Sequence, residues 1–205
     1  MSKKISRRDF IKTTAAAGGA AALMPQTIFS SQNKKNLRIG FIGTGLRGQW
    51  MLWLATKYPD VEIPAICDID DGMISAALKI IKDSGREEPK VYKKNDQDFR
   101  NLVKNEDLDG VYIATPWEWH HPMAIAAMKA GIHVGTEVPA ALTVNECWDL
   151  VNVSEKTEKF CMIMENVCYR RDVMAVLNMV RRDMFGELLH CQGVYQHDLI
   201  HVKFN

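Results

Sequence analysis

The stretch Leu37 to Gly48, reading LRIGFIGTGLRG, limits what this chain can fold into more than any other. Leu37, Ile39, Phe41 and Ile42 form an apolar run of strand length. Gly43, Gly45 and Gly48 come next in the spacing G-x-G-x-x-G, and a helical pattern from Gln49 to Lys57 comes directly after. Strand, tight turn and helix in that order make a phosphate-binding unit: Gly43 permits the turn, Gly45 admits a pyrophosphate to the backbone, and Gly48 lets the helix approach the strand. The helix N-terminus adds N–H donors and partial positive charge. The glycines alone also suit an ordinary strand-to-helix turn, so the residues beyond them carry the distinction. A second apolar run, Ile63 to Cys67, ends in Asp68, about twenty residues on, where a carboxylate can accept hydrogen bonds from a ribose and repel a 2′-phosphate. Asp70 and Asp71 add negative charge with no Arg or Lys close behind, which favours NAD over NADP. The alternative is that Asp68 caps the next helix.

Beyond Asp68, strand and helix patterns alternate with short links. Met73, Ile74, Ala77, Leu78 and Ile81 predict a helix over 70–84, and Val91 and Tyr92 a short strand. Phe99, Leu102 and Val103 mark a helix, Val111 to Thr115 a buried strand, and Pro122 to Lys129 a helix. Val134 to Glu137 reads as a strand, Asn145 to Lys159 as a helix with Trp148, Leu150 and Val151 on its apolar face, and Met162 to Met164 as a sixth strand. The pattern predicts an α/β, doubly wound parallel sheet over about 37–166, with ligands at the carboxyl ends of the strands. Those ends carry Thr115-Pro116-Trp117-Glu118-Trp119-His120-His121, Glu137-Val138-Pro139 and Glu165-Asn166. The two tryptophans suit a wall for a nicotinamide or sugar ring, or a buried aromatic corner. The histidines suit caps or core positions; with no third ligand at useful spacing, no metal site is expected.

With 205 residues, 47% of them hydrophobic and 25% charged, the chain can bury the core of one domain and part of a second. A net charge of +1 gives no electrostatic case for nucleic acid or an anionic membrane and leaves a small molecule as the expected partner. Cys67, Cys147, Cys161, Cys168 and Cys191 are odd in number and lack C-x-x-C spacing, and they read as buried thiols. At the N-terminus, Ser6-Arg7-Arg8-Asp9-Phe10-Ile11-Lys12 precedes a small-residue run from Thr13 to Met24 and a polar stretch to Asn36. That is the layout of a twin-arginine export signal, so residues 1–36 read as signal and linker, with a periplasmic or extracellular destination and no membrane span in the mature chain. The route carries folded proteins, which suits a protein that takes up its dinucleotide before export.

The glycine loop, Asp68, the Thr115-Pro116 segment ending in His120, and Glu137 two residues before Pro139 resemble the Gfo/Idh/MocA oxidoreductases, a Rossmann NAD(P)-binding fold followed by an open-faced α/β substrate domain. Gly45-Leu46-Arg47-Gly48, Trp117-Glu118-Trp119-His120, Glu137-Val138-Pro139, Glu165-Asn166 with Tyr169, Gly186-Glu187-Leu188 and Tyr195-Gln196-His197-Asp198-Leu199 resemble glycoside hydrolase family 109. The resemblance implies that Leu46, Arg47, Asp68, Trp117, Glu118, Trp119, His120, Glu137, Val138 and Asn166 line NAD, and that Tyr195 contacts the sugar with His197 close by. Many relatives have Lys where this chain has Val138. A valine cannot relay a proton, which disfavours a simple dehydrogenase. The implied activity is hydrolysis of α-N-acetylgalactosaminides by transient oxidation at C3, loss of the C2 proton, elimination, water addition and return of the hydride. Tyr195 and His197 stand near the proton transfers, with acid and base unassigned; alternatively, Tyr195 simply alternates along a half-buried strand. A periplasmic NAD(P)-dependent sugar oxidoreductase and a non-catalytic NAD-binding fragment are the other readings, and a homo-oligomer is left open. A helix from Val173 to Met184 and a strand from Glu187 to Gln196 are expected to begin a substrate domain over 167–205 that this sequence leaves incomplete.

Overall fold

The computed structural model describes residues 36–194, 196 and 198. In chain order the elements are β1 (Leu37–Ile42), α1 (Leu46–Ala55), β2 (Val61–Glu62), β3 (Ala65–Cys67), α2 (Asp71–Asp83), β4 (Lys90–Tyr92) and α3 (Phe99–Asn105). They continue with β5 (Gly110–Ile113), α4 (Trp117–Lys129), β6 (His133–Thr136), α5 (Val144–Thr157), β7 (Cys161–Ile163), a 3-10 turn (Val167–Tyr169) and α6 (Arg171–Arg181). The strands pair in parallel in the order β4-β3-β1-β5-β6-β7, with β2 also against β1. This is the expected doubly wound parallel sheet, and its strand order reverses between β1 and β5.

Register places the site. Ile42 pairs with Cys67 and Ile113, Cys67 with Tyr92, Ile113 with Thr136, and Thr136 with Ile163. The last residues of six strands therefore lie on one line, and every loop singled out in the sequence leaves from that edge. Side chains alternate across the sheet. Phe41, Ile66 and Tyr112 face Leu52, Ile74 and Ile81 of α1 and α2, while Ile42, Cys67 and Ile113 face Phe99, Leu102, Met123 and Leu150 of α3, α4 and α5. Side chains fix two helix starts: Asp70 accepts from the Met73 N–H at 2.9 Å, and Thr143 with Glu146 forms a reciprocal cap before α5.

Several boundaries differ from the sequence reading. The strand expected over 63–67 is shortened by Pro64, which has no N–H for the ladder, so β2 and β3 meet β1 separately. Helix α4 starts at Trp117, five residues before Pro122, which lies inside the helix. On α5 the buried residues are Leu150 and Val153, a three-residue step, whereas Trp148 and Val151 are exposed. Of the five cysteines only Cys67 is buried; Cys161 is half-buried, and Cys147, Cys168 and Cys191 are exposed. No strand forms over 187–194, and none of the described strands pairs with that segment.

Candidate functional site

The glycine loop takes the geometry that its spacing predicts. Gly43 has φ of +89°, and a Cβ there would lie 2.4 Å from the Ala114 carbonyl oxygen. A Cβ on Gly48 would lie 2.1 Å from the Gly43 carbonyl oxygen, so α1 can approach β1 only through a glycine. Gly45 is the opposite case, because a Cβ there meets nothing within 4 Å. That open side is where a ligand can reach the backbone. Gly45 begins α1 without any side-chain cap, which leaves the first-turn N–H groups to an anion.

A cleft of about 280 Å³ opens at the switch point, lined by Gly43 and Gly45, by Asp68, Ile69 and Met73, by Asn95 and Asp96, and by Thr115, Pro116 and Trp119. Asp68 does more than face it. Its Oδ2 accepts from the Thr44 N–H at 2.5 Å and the Thr44 hydroxyl at 3.0 Å, and its Oδ1 accepts from the N–H groups of Ile69 at 2.7 Å and Asp70 at 3.0 Å. The carboxylate ties the glycine loop to the loop after β3; the cap of α2 itself is Asp70. Trp119 lines the same cleft as Asp68, with its ring edge-on to Phe99 at 6.2 Å. It is thus both an aromatic corner and a cleft wall.

A second cluster lies at the end of β6. Glu137 Oε1 accepts from Arg47 Nε at 2.7 Å and from the Tyr112 hydroxyl. Burial and then the Glu137 carboxylate raise the pKa of the Tyr112 hydroxyl. For Arg47, burial opposes the charge, yet the bond to Glu137, the charge of that carboxylate and Tyr112 together outweigh it and the pKa is raised. In the cleft floor, burial, with Asp98 and Asp68 nearby, pushes the Cys67 thiol up to about 12, so it stays protonated.

The remaining candidates are dispersed. His120 is 1% exposed, with Nδ1 at 2.7 Å from the Pro139 carbonyl and Nε2 at 2.8 Å from the Thr115 carbonyl, so its ring clips two strand-end loops together. His121 pairs with Asp149 at 2.9 Å. Trp117 and Glu118 are exposed on the first turn of α4, Leu46 is 85% exposed on α1, and Val138 and Asn166 are exposed. Tyr195 and His197, and the export segment before Asn36, lie outside the described residues. Sequence reasoning missed Thr44, an unspecified position of the glycine motif, and Tyr112. The signal for Tyr112 was present, since a tyrosine within a buried run needs a partner for its hydroxyl.

Comparison with known proteins fits this geometry. The family described as oxidoreductase, NAD-binding Rossmann fold, matches residues 37–165, the C-terminal domain of glycosyl hydrolase 109 matches 169–205, and a twin-arginine translocation signal matches 4–24. A glycosyl hydrolase family 109 protein of Parabacteroides distasonis is 51% identical, covering 98% of this chain and 46% of its own length. The alpha-N-acetylgalactosaminidase of Tannerella forsythia is 50% identical, covering 98% and 47%. The chain thus spans about half the length of these curated relatives. Among solved structures, myo-inositol 2-dehydrogenase from Lactobacillus plantarum superposes with a TM-score of 0.64 at 25% identity, over 75% of this chain and 43% of that one. Scyllo-inositol dehydrogenase from Lactobacillus casei, with NAD(H) bound, gives 0.66 at 20% identity, over 75% and 43%. Carrying an NAD-binding Rossmann domain, a twin-arginine signal and a segment of the glycosyl hydrolase 109 type, the chain belongs to the Gfo/Idh/MocA oxidoreductase family.

Proposed function

We propose that this chain is the NAD-binding portion of an exported glycosidase that acts on α-linked N-acetylgalactosaminides. The observation that carries the reading is the joining, in one sequence, of a cleft opened by Gly45 to a segment that matches the glycosyl hydrolase 109 C-terminal domain. NAD, when bound, supplies reversible hydride exchange at the sugar. The chain's own contribution is binding and orientation. Gly43, Gly45 and Gly48 with the start of α1 receive the diphosphate, Asp68 and Trp119 the adenosine end, and Leu46, Arg47, Glu137, Val138 and Asn166 the other half. Trp117 and Glu118 border the mouth, and His120 fixes the loops behind it. Val138 offers no proton relay, which leaves Tyr195 and His197 as the groups for proton transfer. Residues 37–166 form the NAD-binding domain in this reading, and 167–205 begin the substrate domain.

Export by the twin-arginine route implies a periplasmic or extracellular site of action. The test is release of a chromophore from an α-N-acetylgalactosaminide by the full-length protein with NAD; no release with NAD bound would refute the proposal. Likeness to inositol dehydrogenases supports a second reading, a sugar oxidoreductase, for which net accumulation of NADH with a free sugar is the distinguishing sign.

A further inference from the structure

Arg47 lies in the first turn of α1, at the positive end of the helix dipole, where a cation is ordinarily unfavourable. Glu137 holds it there from the end of β6, through one of its five N–H donors. Glu137 is itself held. Its side chain is 15% exposed, and the oxygen that accepts Arg47 Nε also accepts the hydroxyl of Tyr112, 5% exposed on β5 with its ring 5.7 Å from that of Phe41. Three segments far apart in sequence thus converge on one carboxylate oxygen in the turn that Gly45 opens. The adenosine end is built differently, by Asp68 on backbone amides.

We propose that Tyr112 is a positioning residue for the diphosphate and nicotinamide half of the site: its hydroxyl orients Glu137, and Glu137 sets the guanidinium of Arg47 beside the open glycine. The proposal rests on the dinucleotide reading of the cleft. It makes the two halves of the site separable, since Asp68 and Trp119 do not depend on Tyr112. Neither the glycine pattern nor the resemblance marks this residue.

The test is calorimetric titration of this 205-residue chain and its Tyr112→Phe and Glu137→Gln variants with NAD and with AMP, which carries only the adenosine-side phosphate. Tyr112→Phe keeps the ring and its packing. The expected result is a loss of about tenfold in NAD affinity, the scale of a hydrogen bond to a charged group, with AMP changed less than about twofold. Glu137→Gln should show the same selectivity, and the double variant should lose little more than either single one, because both act through Arg47. Thermal unfolding without ligand provides the folding control, and should Tyr112→Phe not fold, Glu137→Gln carries the same test. Unchanged NAD affinity in the variants, or equal losses for NAD and AMP, would overturn the proposal while leaving the dinucleotide reading intact. A parent chain that binds AMP but not NAD would overturn both.

Discussion

Helix α2 buries Ile74, Ala77 and Ile81 against the sheet, whereas α6, with Val173, Val176, Leu177 and Val180 at similar three- and four-residue spacing, buries none of its residues. Val176 is 51% exposed and Leu177 37%, while Ile81 is 1%. Both helices are amphipathic, so pattern is not what separates them. Helix α2 follows β3 by a short loop and is carried back onto the sheet face that β1 and β3 share. Helix α6 follows β7, the last strand in the order, and packs chiefly on the 3-10 turn just before it. An apolar stripe states that a helix wants a partner. Which surface answers is decided by where the chain connects.

The largest effect expected in the α2 region's layer is at Gly48, where valine would drive a Cβ into the Gly43 carbonyl and pull α1 from β1. Chemical denaturation should show a loss above about 4 kcal/mol. Gly45→Val is the control: it should unfold at nearly the parent concentration of denaturant, since a Cβ there meets nothing, but bind no NAD if the proposed diphosphate position is right. The direct comparison of the helices comes next. Ile81→Ala should cost about 2–5 kcal/mol, and Leu177→Ala about 0.5 kcal/mol or less; equal losses would mean that α6 has found a partner in solution. Asp68→Ala should cost about 1–3 kcal/mol, since it leaves the Thr44 amide unpaired, and should weaken NAD binding if Asp68 is the ribose acceptor proposed above.

The smallest effect is one of pH. Asp98 is buried at the start of α3, where it accepts from Asn101 Nδ2 at 2.7 Å and the Lys94 N–H at 2.9 Å, and these bonds lower its pKa. A depressed carboxylate contributes stability that is fully present above its ordinary value, about 3.9, and is lost as pH falls through the lower native one. The difference in stability between the parent and Asp98→Asn should therefore hold constant from pH 7 down to about 5 and shrink in stronger acid. Helix α6 opens at Arg170 with no side-chain cap, yet in its first turn Asp172, opposed by desolvation but favoured by the Val173 N–H and Arg170, is also held below its ordinary value, so a trend of the same sign is expected from that exposed carboxylate.

Most of the sheet was legible because each strand is a short apolar run, and a parallel strand covered on both faces leaves little else to read. The glycine loop was legible for a sharper reason: at Gly43 and Gly48 the neighbouring backbone leaves no room for a Cβ, and the third glycine, Gly45, completes a known spacing although the fold itself leaves space there. What escaped were facts about pairing across the fold. Asp68 reads as a ribose acceptor from its distance along the chain, but its hold on Thr44 exists only once β1 and β3 lie side by side. Tyr112 and Glu137 are separated by an entire helix and meet because Ile113 and Thr136 are in register. The exposed face of α5 misled because Trp148 and Val151 are as apolar as the residues that do turn inward. The strand expected over 187–196 does not form among the described residues of that segment, and strand pairing is a condition that no local pattern encodes.

Pro122 has no N–H to return to the carbonyl of Glu118 one turn back, so the ladder of α4 carries a gap just after the segment that borders the cleft. What holds that segment is instead the ring of His120, anchored to two loops. The first turn of α4 is thus fastened from outside the helix ladder, by His120 to two loops and by Trp119 to Phe99, while the part from Met123 onward is rooted in the core. Trp117 and Glu118, exposed on that turn, can be exchanged with little consequence for the core, whereas His120 and Trp119 cannot. The outer edge of that turn can accordingly vary while the cleft wall at Trp119 stays tied to the core.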